Sequence, residues 1–289
     1  MNKFSFLLVF FFAFAITASA QTKDNKEYNA WYVQKDSAYT IFAKKAMIRA
    51  EPSLKGQLID SLYAGASIII HEQTTEFAEV KSIYAPWVKV SYQQNGQQKS
   101  GYLWLGSVAL KNAVYNNVNF VFGIERLEKD AKRSDAEYSF YTYVVQLKAI
   151  SSDTLADVKE WKVDGGEFAS YIQMLLLGNT KLDNLQNVVR ISAGGEACGI
   201  PTNYFYYGWT GQKLLPLPGK YSVGDADVFY HSETLLFPHE KGGQPNKIIK
   251  LIEEEETLEE ATETKKAKVK KMNAKEVYVW NGVKAIKQK

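Results

Sequence analysis

The clearest pattern between residues 39 and 111 is a series of short apolar stretches separated by turn residues. Each stretch is rich in β-branched and aromatic residues, which favour strands over helices. Asn95 and Gly96 separate two of the stretches, and this pair accepts the positive φ angles of a tight β-hairpin. The pattern predicts a small barrel of short antiparallel strands that includes residues 58–62, 67–72, 87–92 and 99–104.

A second series of apolar stretches begins at residue 118. Residues 138–150 contain many aromatic and β-branched side chains, which predicts a long strand rather than a surface helix. Residues 167–177 are the best helix candidate, because Gly178-Asn179 can form a left-handed C-terminal cap. The second half therefore predicts an antiparallel sheet with at least one helix, with further strands over residues 118–124, 188–192, 204–207, 248–252 and 276–280.

Two stretches of this half share the pattern Trp-x-Gly-x-Lys after an aromatic strand. They begin at Trp209 and Trp280. Physically the pattern predicts a hairpin, in which Gly takes the positive φ angle and Trp covers the strand pair beside the turn. Two copies without regular spacing fall short of propeller blades, so repeated architecture is favoured over a shared ligand site.

The N-terminus has the layout of a secretory signal peptide. Lys3 precedes an apolar run over residues 6–16, and Ala18-Ser19-Ala20 supplies the small residues that a signal peptidase reads. The mature chain is expected to begin at Gln21. The run is shorter than the roughly 20 apolar residues of a membrane span, which predicts an exported, periplasmic or extracellular protein that is not membrane-spanning.

Composition and charge exclude some function classes. Apolar residues make up 46% of the chain and charged residues 23%, as in ordinary globular proteins. The net charge of +3 gives no electrostatic case for nucleic-acid binding, which usually needs a concentrated basic face. The single Cys198 cannot form an internal disulfide, so packed cores must stabilise the fold.

Four short motifs in the first half follow one another in a recognisable order. They are Ile48-Arg49 with Pro52-Ser53, Leu62 with Gly65 and Ile68, Trp87-Val88-Lys89-Val90, and Gly101-Tyr102-Leu103. This order resembles the bacterial SH3 domain, a small β-barrel of secreted and cell-wall proteins. The resemblance covers residues 39–111 and departs from the family at Met47 and in the longer loop at residues 84–86.

The resemblance and the composition together predict the domain organisation. The signal peptide occupies residues 1–20, a polar lead-in residues 21–38, an SH3-like barrel residues 39–112, and a β-rich C-terminal domain of unknown role residues 113–289. The C-terminal domain contains a charged loop at about residues 253–271, where a block of Glu precedes a block of Lys. Neighbouring blocks of opposite sign favour a solvated segment with small ion-pair energies over a polymer-binding site.

The resemblance also implies recognition of cell-wall peptide or glycan. Five aromatic residues around the predicted barrel are the candidate ligand-binding residues: Tyr84, Trp87, Tyr92, Tyr102 and Trp104. Aromatic faces suit glycans and extended peptides, since stacking gives contact area at low entropic cost. Trp87 and Tyr102 occupy the family's own aromatic positions and are expected in the core, whereas Tyr84 and Trp104 are expected at the surface.

Catalytic and metal chemistry find weaker support in the sequence. Cys198 with His231 or His239 allows a Cys/His nucleophile pair, but Cys198 lacks the helix start that holds the thiolate in cell-wall cysteine endopeptidases. Asp225, Asp227 and Glu233 could offer oxygens to calcium, but the full loop pattern is missing and a turn is favoured. Three unpaired His residues argue against zinc, and no cofactor is predicted.

The sequence thus predicts an exported, non-enzymatic binding protein whose SH3-like domain recognises peptidoglycan or an envelope protein. Two alternatives stay open. One is a diverged cell-wall hydrolase that uses Cys198, and the other is a purely structural interaction protein whose barrel docks onto its own second domain. Neither the ligand nor the oligomeric state follows from the sequence.

Overall fold

The computed structural model describes residues 30–134, 139–195, 197–226, 228–259, 265 and 267–288 of the 289-residue chain. These residues form strands and two short 3₁₀ segments, Leu105–Ser107 and Gly166–Ala169. The strands pair in antiparallel sheets, so the fold is mainly β, as the apolar pattern predicts. Within the described ranges, no helix is long and apolar enough to cross a membrane. The predicted signal peptide lies outside these ranges.

Six strands form the N-terminal sheet: β1 (Ser37–Thr40), β2 (Lys45–Arg49), β3 (Leu58–Tyr63), β4 (Ser67–Val80), β5 (Ile83–Gln94) and β6 (Gln97–Trp104). Their spatial order is β1-β4-β5-β6-β2-β3. The four strands predicted in this region all lie within β3 to β6. The β5–β6 turn is at Asn95 and Gly96, whose φ angles are 52° and 75°, which confirms the predicted hairpin.

Four strands form the middle sheet: β7 (Lys111–Tyr115), β8 (Val118–Lys129), β9 (Tyr141–Ser151) and β10 (Thr154–Asp164). Their spatial order is β10-β9-β8-β7, so each strand pairs with its neighbour in sequence. The strand predicted over residues 138–150 is β9, apart from its first residues; Tyr138 lies outside the described ranges. The predicted boundary between residues 112 and 113 falls inside β7, which pairs along its length with β8.

Eight strands form the C-terminal sheet, again in sequence order: β11 (Tyr171–Leu176), β12 (Asn187–Gly194), β13 (Thr202–Trp209), β14 (Leu214–Asp225), β15 (Phe229–Leu236), β16 (Lys247–Glu259), β17 (Lys268–Trp280) and β18 (Ala285–Lys287). The strands predicted at residues 188–192, 204–207, 248–252 and 276–280 lie within β12, β13, β16 and β17. The sheet is therefore an up-and-down meander, in which consecutive strands are hydrogen-bonded neighbours.

The helix predicted over residues 167–177 is wrong. Gly166–Ala169 forms one 3₁₀ turn, and Tyr171–Leu176 forms β11, which pairs with β12. Ile172 is buried between the exposed Tyr171 and Gln173, so the side chains alternate with a period of two. Pairing with β12 satisfies the backbone while the inward side chains reach the core, which explains why tertiary contacts override the local helix signal.

Both Trp-x-Gly-x-Lys stretches form the predicted hairpins. Gly211 has a φ of 100° in the β13–β14 turn, and Gly282 has a φ of 86° in the β17–β18 turn. Trp209 and Trp280 are buried, but in different hydrophobic clusters. The shared pattern therefore serves the same local architecture at two places in the core.

The predicted charged loop at residues 253–271 is largely a pair of strands. Residues 253–259 belong to β16 and residues 268–271 to β17, and the Glu block lies opposite the Lys block. Lys271 Nζ lies 2.6 Å from Glu255, and Lys268 Nζ lies 3.3 Å from Glu259. The segment extends as a two-stranded ribbon because cross-strand charge pairs allow two polar strands to align.

One hydrophobic core runs through all three sheets. It extends in sequence from Trp31, whose indole N–H donates to the Val108 carbonyl oxygen at 3.0 Å, to Leu214 on β14. Trp161 of β10 packs between Phe122 of β8 and Tyr207 of the C-terminal sheet, with ring centroids 5.6 and 4.9 Å away. A second cluster, around Tyr206, Phe237 and Trp280, covers the other face of the C-terminal sheet.

Candidate functional site

The five aromatic residues predicted to bind ligand lie on β5 and β6, but three of them are buried. Trp87 lies in the core, as expected, and Tyr92 is buried with its hydroxyl donating to Asp60 at 3.1 Å. The expectation that Trp104 is at the surface is wrong. Its indole N–H donates to the Ala78 carbonyl oxygen at 3.0 Å, and its ring is part of the core. These three rings have no free face for stacking.

Tyr84 and Tyr102 keep partial exposure. Tyr84 is 38% exposed and stacks on Phe77 with ring centroids 4.9 Å apart, which agrees with its expected surface position. Tyr102 was expected in the core and is half-buried, opposite Lys89 on β5 and Arg49 on β2. Strand alternation places Tyr102 with Trp87 and Trp104 on one face of the sheet, and Tyr84 with Tyr92 on the other. The five side chains do not form one aromatic surface.

Arg49, the charged residue of the first motif, has a structural contact. Its Nη1 donates to the Gly56 carbonyl oxygen at 2.6 Å and so holds the loop between β2 and β3. The loop itself turns at Ser53, where the Gly56 N–H donates to the Ser53 carbonyl oxygen at 3.0 Å. This motif therefore shapes the β2–β3 hairpin.

The same hairpin exposes an apolar patch that sequence reasoning missed. Met47 pairs with Ser61, and Tyr63 lies two residues from Ser61 on the same face of β3. Ile59 lies two residues before Ser61, at the register shift of this hairpin. These three side chains, called the hairpin patch below, are 39%, 45% and 61% exposed. Exposed apolar side chains grouped on one hairpin mark interaction sites more often than scattered ones do. The signal in the sequence is the unbroken apolar pair Leu58-Ile59.

Among the described residues, no contact joins Cys198 to His231 or His239. Cys198 is exposed in the turn between β12 and β13, beside the β14 end, where the Gly199 N–H donates to the Gly224 carbonyl oxygen at 2.9 Å. His231 lies on β15, stacked on Tyr221 at 4.1 Å, and its Nδ1 lies 2.8 Å from Glu254 Oε1. His231 is thus fixed by Tyr221 and Glu254, so nothing in these contacts activates the thiol.

Asp225 and Glu233, two of the three residues considered as possible calcium ligands, lie at different positions along β14 and β15. Asp225 ends β14, Asp227 lies outside the described ranges, and Glu233 is buried further along β15. The Glu233 carboxylate accepts from Lys250 Nζ and from the Tyr221 N–H, both at 2.9 Å. Among the described residues, no group of three or more His, Cys, Asp or Glu side chains is placed to hold a metal ion.

Asp225 instead lines an open cleft of about 750 Å³ at the end of β14 to β17. Its walls combine the aromatic rings of Phe229 and Tyr230 with the carboxylates of Asp225 and Glu255. Phe229 and Tyr230 are both partly exposed. The cleft could therefore accommodate an apolar group that carries a positive charge.

A buried charge network occupies the middle of the C-terminal sheet. Besides its bonds to Lys250 and Tyr221, Glu233 has its Oε1 3.6 Å from His231 Nε2. The ammonium and the backbone N–H satisfy the carboxylate, so the network stabilises the pairing of β14, β15 and β16.

Comparison with protein-family models, with curated proteins and with solved structures returned no match for this chain. The functional argument therefore rests on the geometry described above and on the sequence motifs.

Proposed function

We propose that this protein is an exported, non-enzymatic binding protein whose N-terminal sheet acts as an SH3-like domain and binds peptide segments of the cell envelope. The observation that carries this proposal is the hairpin patch of Met47, Ile59 and Tyr63. The four SH3-like motifs support it, because they fall in order on β2, the β3–β4 region, β5 and β6.

The burial of the aromatic residues favours a peptide over a glycan. Glycan binding commonly uses the open face of an aromatic ring, and Trp87, Tyr92 and Trp104 offer none. The hairpin patch presents Met and Ile with a single Tyr, a mixture that suits aliphatic peptide side chains. Met adds adaptability, because its unbranched side chain repacks against different partners.

Lys45 adds a charge requirement to the proposed ligand. It is exposed and pairs with Tyr63 across β2 and β3, so it borders the patch. An ammonium beside an apolar surface favours a peptide that carries a carboxylate. The best candidate ligand is therefore a short acidic peptide of the cell wall or of an envelope protein.

The test uses the mature chain from Gln21 to Lys289 with purified peptidoglycan, soluble wall peptides, and glycan strands stripped of peptide. We expect binding to intact peptidoglycan and to the peptides. Tyr63→Ala removes an exposed ring and should weaken binding about fivefold to tenfold, which corresponds to about 1 kcal/mol. The melting temperature should change little, since Tyr63 is 61% exposed.

Tyr32→Ala is the matched control, because Tyr32 is 84% exposed and precedes the first strand. It should bind like the unmodified protein. The proposal would be contradicted if the Tyr63→Ala variant bound as tightly as the unmodified protein. It would also be contradicted if the unmodified protein bound only to peptide-free glycan.

The structural alternative has its own supporting observation. Phe42 packs against Gly123 of the middle sheet so closely that a Cβ on Gly123 would lie 2.6 Å from the Phe42 ring. The N-terminal sheet thus shares tight packing with the rest of the chain. If no envelope preparation binds to the mature protein, the supported interpretation is that the N-terminal sheet docks onto the rest of its own chain.

A further inference from the structure

Two cationic side chains and two phenols meet on one face of the C-terminal sheet. Arg190 on β12 pairs with Tyr206 on β13, and Tyr204 pairs with Lys220 on β14. Tyr204 and Tyr206 are two residues apart on one strand, so all four side chains start from the same face. Tyr206 is buried, whereas Arg190, Tyr204 and Lys220 are half-buried and reachable from solvent.

The Tyr204 ring brings the two cations together. Arg190 Cζ lies 5.6 Å from the ring centroid, and Lys220 Nζ lies 4.4 Å from it. Lys220 also donates to the Glu233 carbonyl oxygen at 3.0 Å, which fixes the ammonium but adds no negative charge. Cation–π contacts hold both side chains in place while leaving their N–H groups able to donate to another acceptor.

Among the described residues, Arg190 and Lys220 have no carboxylate within ion-pair distance, unlike Arg126 and Arg133. Arg126 pairs with Glu128 and Glu160, and Arg133 pairs with Asp130 and Asp164. The carboxylates nearby have other partners. Glu233 binds Lys250, and Glu240 accepts from the Phe237 N–H at 2.6 Å.

The electrostatics agree with this geometry. Burial lowers the pKa of Lys220, and the positive charge of Arg190 lowers it further, while the Glu233 carboxylate acts in the opposite direction. Burial raises the pKa of Tyr206 to about 12, although Arg190 acts in the opposite direction by favouring the phenolate. The contribution of Arg190 to both groups is that of a nearby positive charge, which an anion would neutralise.

We propose that Arg190 and Lys220 form a binding site for an oxyanion, the carboxylate or phosphate group of a ligand, with Tyr204 and Tyr206 beside it. A guanidinium presents a planar fork of N–H donors that matches two oxygens of such a group. The Lys220 ammonium supplies a second charge from the opposite side of β13. This site lies on the C-terminal sheet and does not rest on the peptide binding proposed for the hairpin patch.

Titration calorimetry on the full mature chain tests the proposal, with inorganic phosphate and sodium acetate as separate probes at constant ionic strength. We expect saturable binding of at least one probe. Saturation by phosphate alone assigns the site to phosphate groups, and saturation by acetate assigns it to carboxylates. Arg190→Gln and Lys220→Gln should each weaken binding tenfold or more.

Arg126→Gln is the matched control, because Arg126 already pairs with two carboxylates. It should leave the affinity unchanged. Absence of saturable binding of both probes would overturn the proposal, as would equal loss in the Arg126→Gln variant.

A measurement on the unmodified protein covers the case in which a variant does not fold. The chain has only four arginines, so its NMR spectrum holds four Nε–Hε signals. One of them should shift and saturate as the probe is added. Four unmoved signals would overturn the proposal without any substitution.

Discussion

Trp104 illustrates how a single side chain changes its role with its surroundings. It lies opposite Trp87 on the neighbouring strand, and both rings belong to the core. The bond from its indole N–H to the Ala78 carbonyl oxygen ties the end of β6 to β4. A buried Trp with a satisfied N–H contributes packing and one hydrogen bond, so its function is stability.

Trp104→Ala should therefore lower the free energy of unfolding by about 3 kcal/mol, because it leaves a large cavity. Tyr84→Ala, in the same sheet but partly exposed, should cost about 1 kcal/mol or less. Denaturant unfolding followed by tryptophan fluorescence measures both. Similar stabilities of the two variants would show that Trp104 is not a core residue.

At the scale of elements, Asp60 links β3 to the β5–β6 hairpin. Its carboxylate accepts from the Tyr92 hydroxyl, Gln94 Nε2 and Lys99 Nζ at 3.0 to 3.1 Å. Burial opposes ionisation, but the hydrogen bonds from Gln94, the Ser61 backbone N–H, Lys99 and Tyr92 outweigh it and lower the pKa of Asp60 to about 2. The network gathers the ends of three strands around one charge.

This lowered pKa predicts a pH-dependent contribution to stability. Because the folded state holds the carboxylate ionised, the contribution is present above the unfolded pKa of about 3.8 and is lost as the pH falls towards 2. Asp60→Asn should reduce the free energy of unfolding by about 1 kcal/mol at pH 7. The difference from the unmodified protein should shrink between pH 4 and pH 2, as measured by urea unfolding. A difference that does not change with pH would contradict the role of the charge.

At the scale of the whole molecule, Lys148 connects the N-terminal and middle sheets. Its side chain is buried on β9, and its Nζ donates to the Phe42 carbonyl oxygen at 2.8 Å and lies 3.8 Å from the centre of the Phe42 ring. Burial lowers the pKa of Lys148 to about 8. The carbonyl and the ring offset part of the cost of burying an ammonium between two sheets.

Lys148→Met tests this junction through its pH dependence. Between pH 8 and pH 10.5 the unfolded chain keeps the Lys148 proton while the folded chain has lost it, so rising pH stabilises the folded state. The stability of the unmodified protein relative to Lys148→Met should therefore increase by about 2 kcal/mol from pH 7 to pH 10. Chemical unfolding at several pH values measures the difference, and a constant value would contradict burial of the charge.

The sequence by itself determined the β-rich class and many local elements. Runs of β-branched and aromatic residues locate strands such as β5, since these side chains favour the extended backbone. Asn95-Gly96 locates the hairpin after β5, because few residue pairs accept two positive φ angles. The Trp-x-Gly-x-Lys hairpins follow from the same local rule. These features depend on neighbours in sequence, which is why they are readable without a structure.

Only the tertiary structure decided which side chains are free to act. Residues 171–176 become a strand because β12 offers backbone partners, and Trp104 is buried because Ala78, 26 residues earlier, supplies its hydrogen-bond acceptor. The hairpin patch and the Arg190–Lys220 pair likewise depend on register between strands, which fixes the face and the neighbours of each residue. Long-range strand pairing determines the exposure of each side chain, and the local sequence pattern does not specify that pairing.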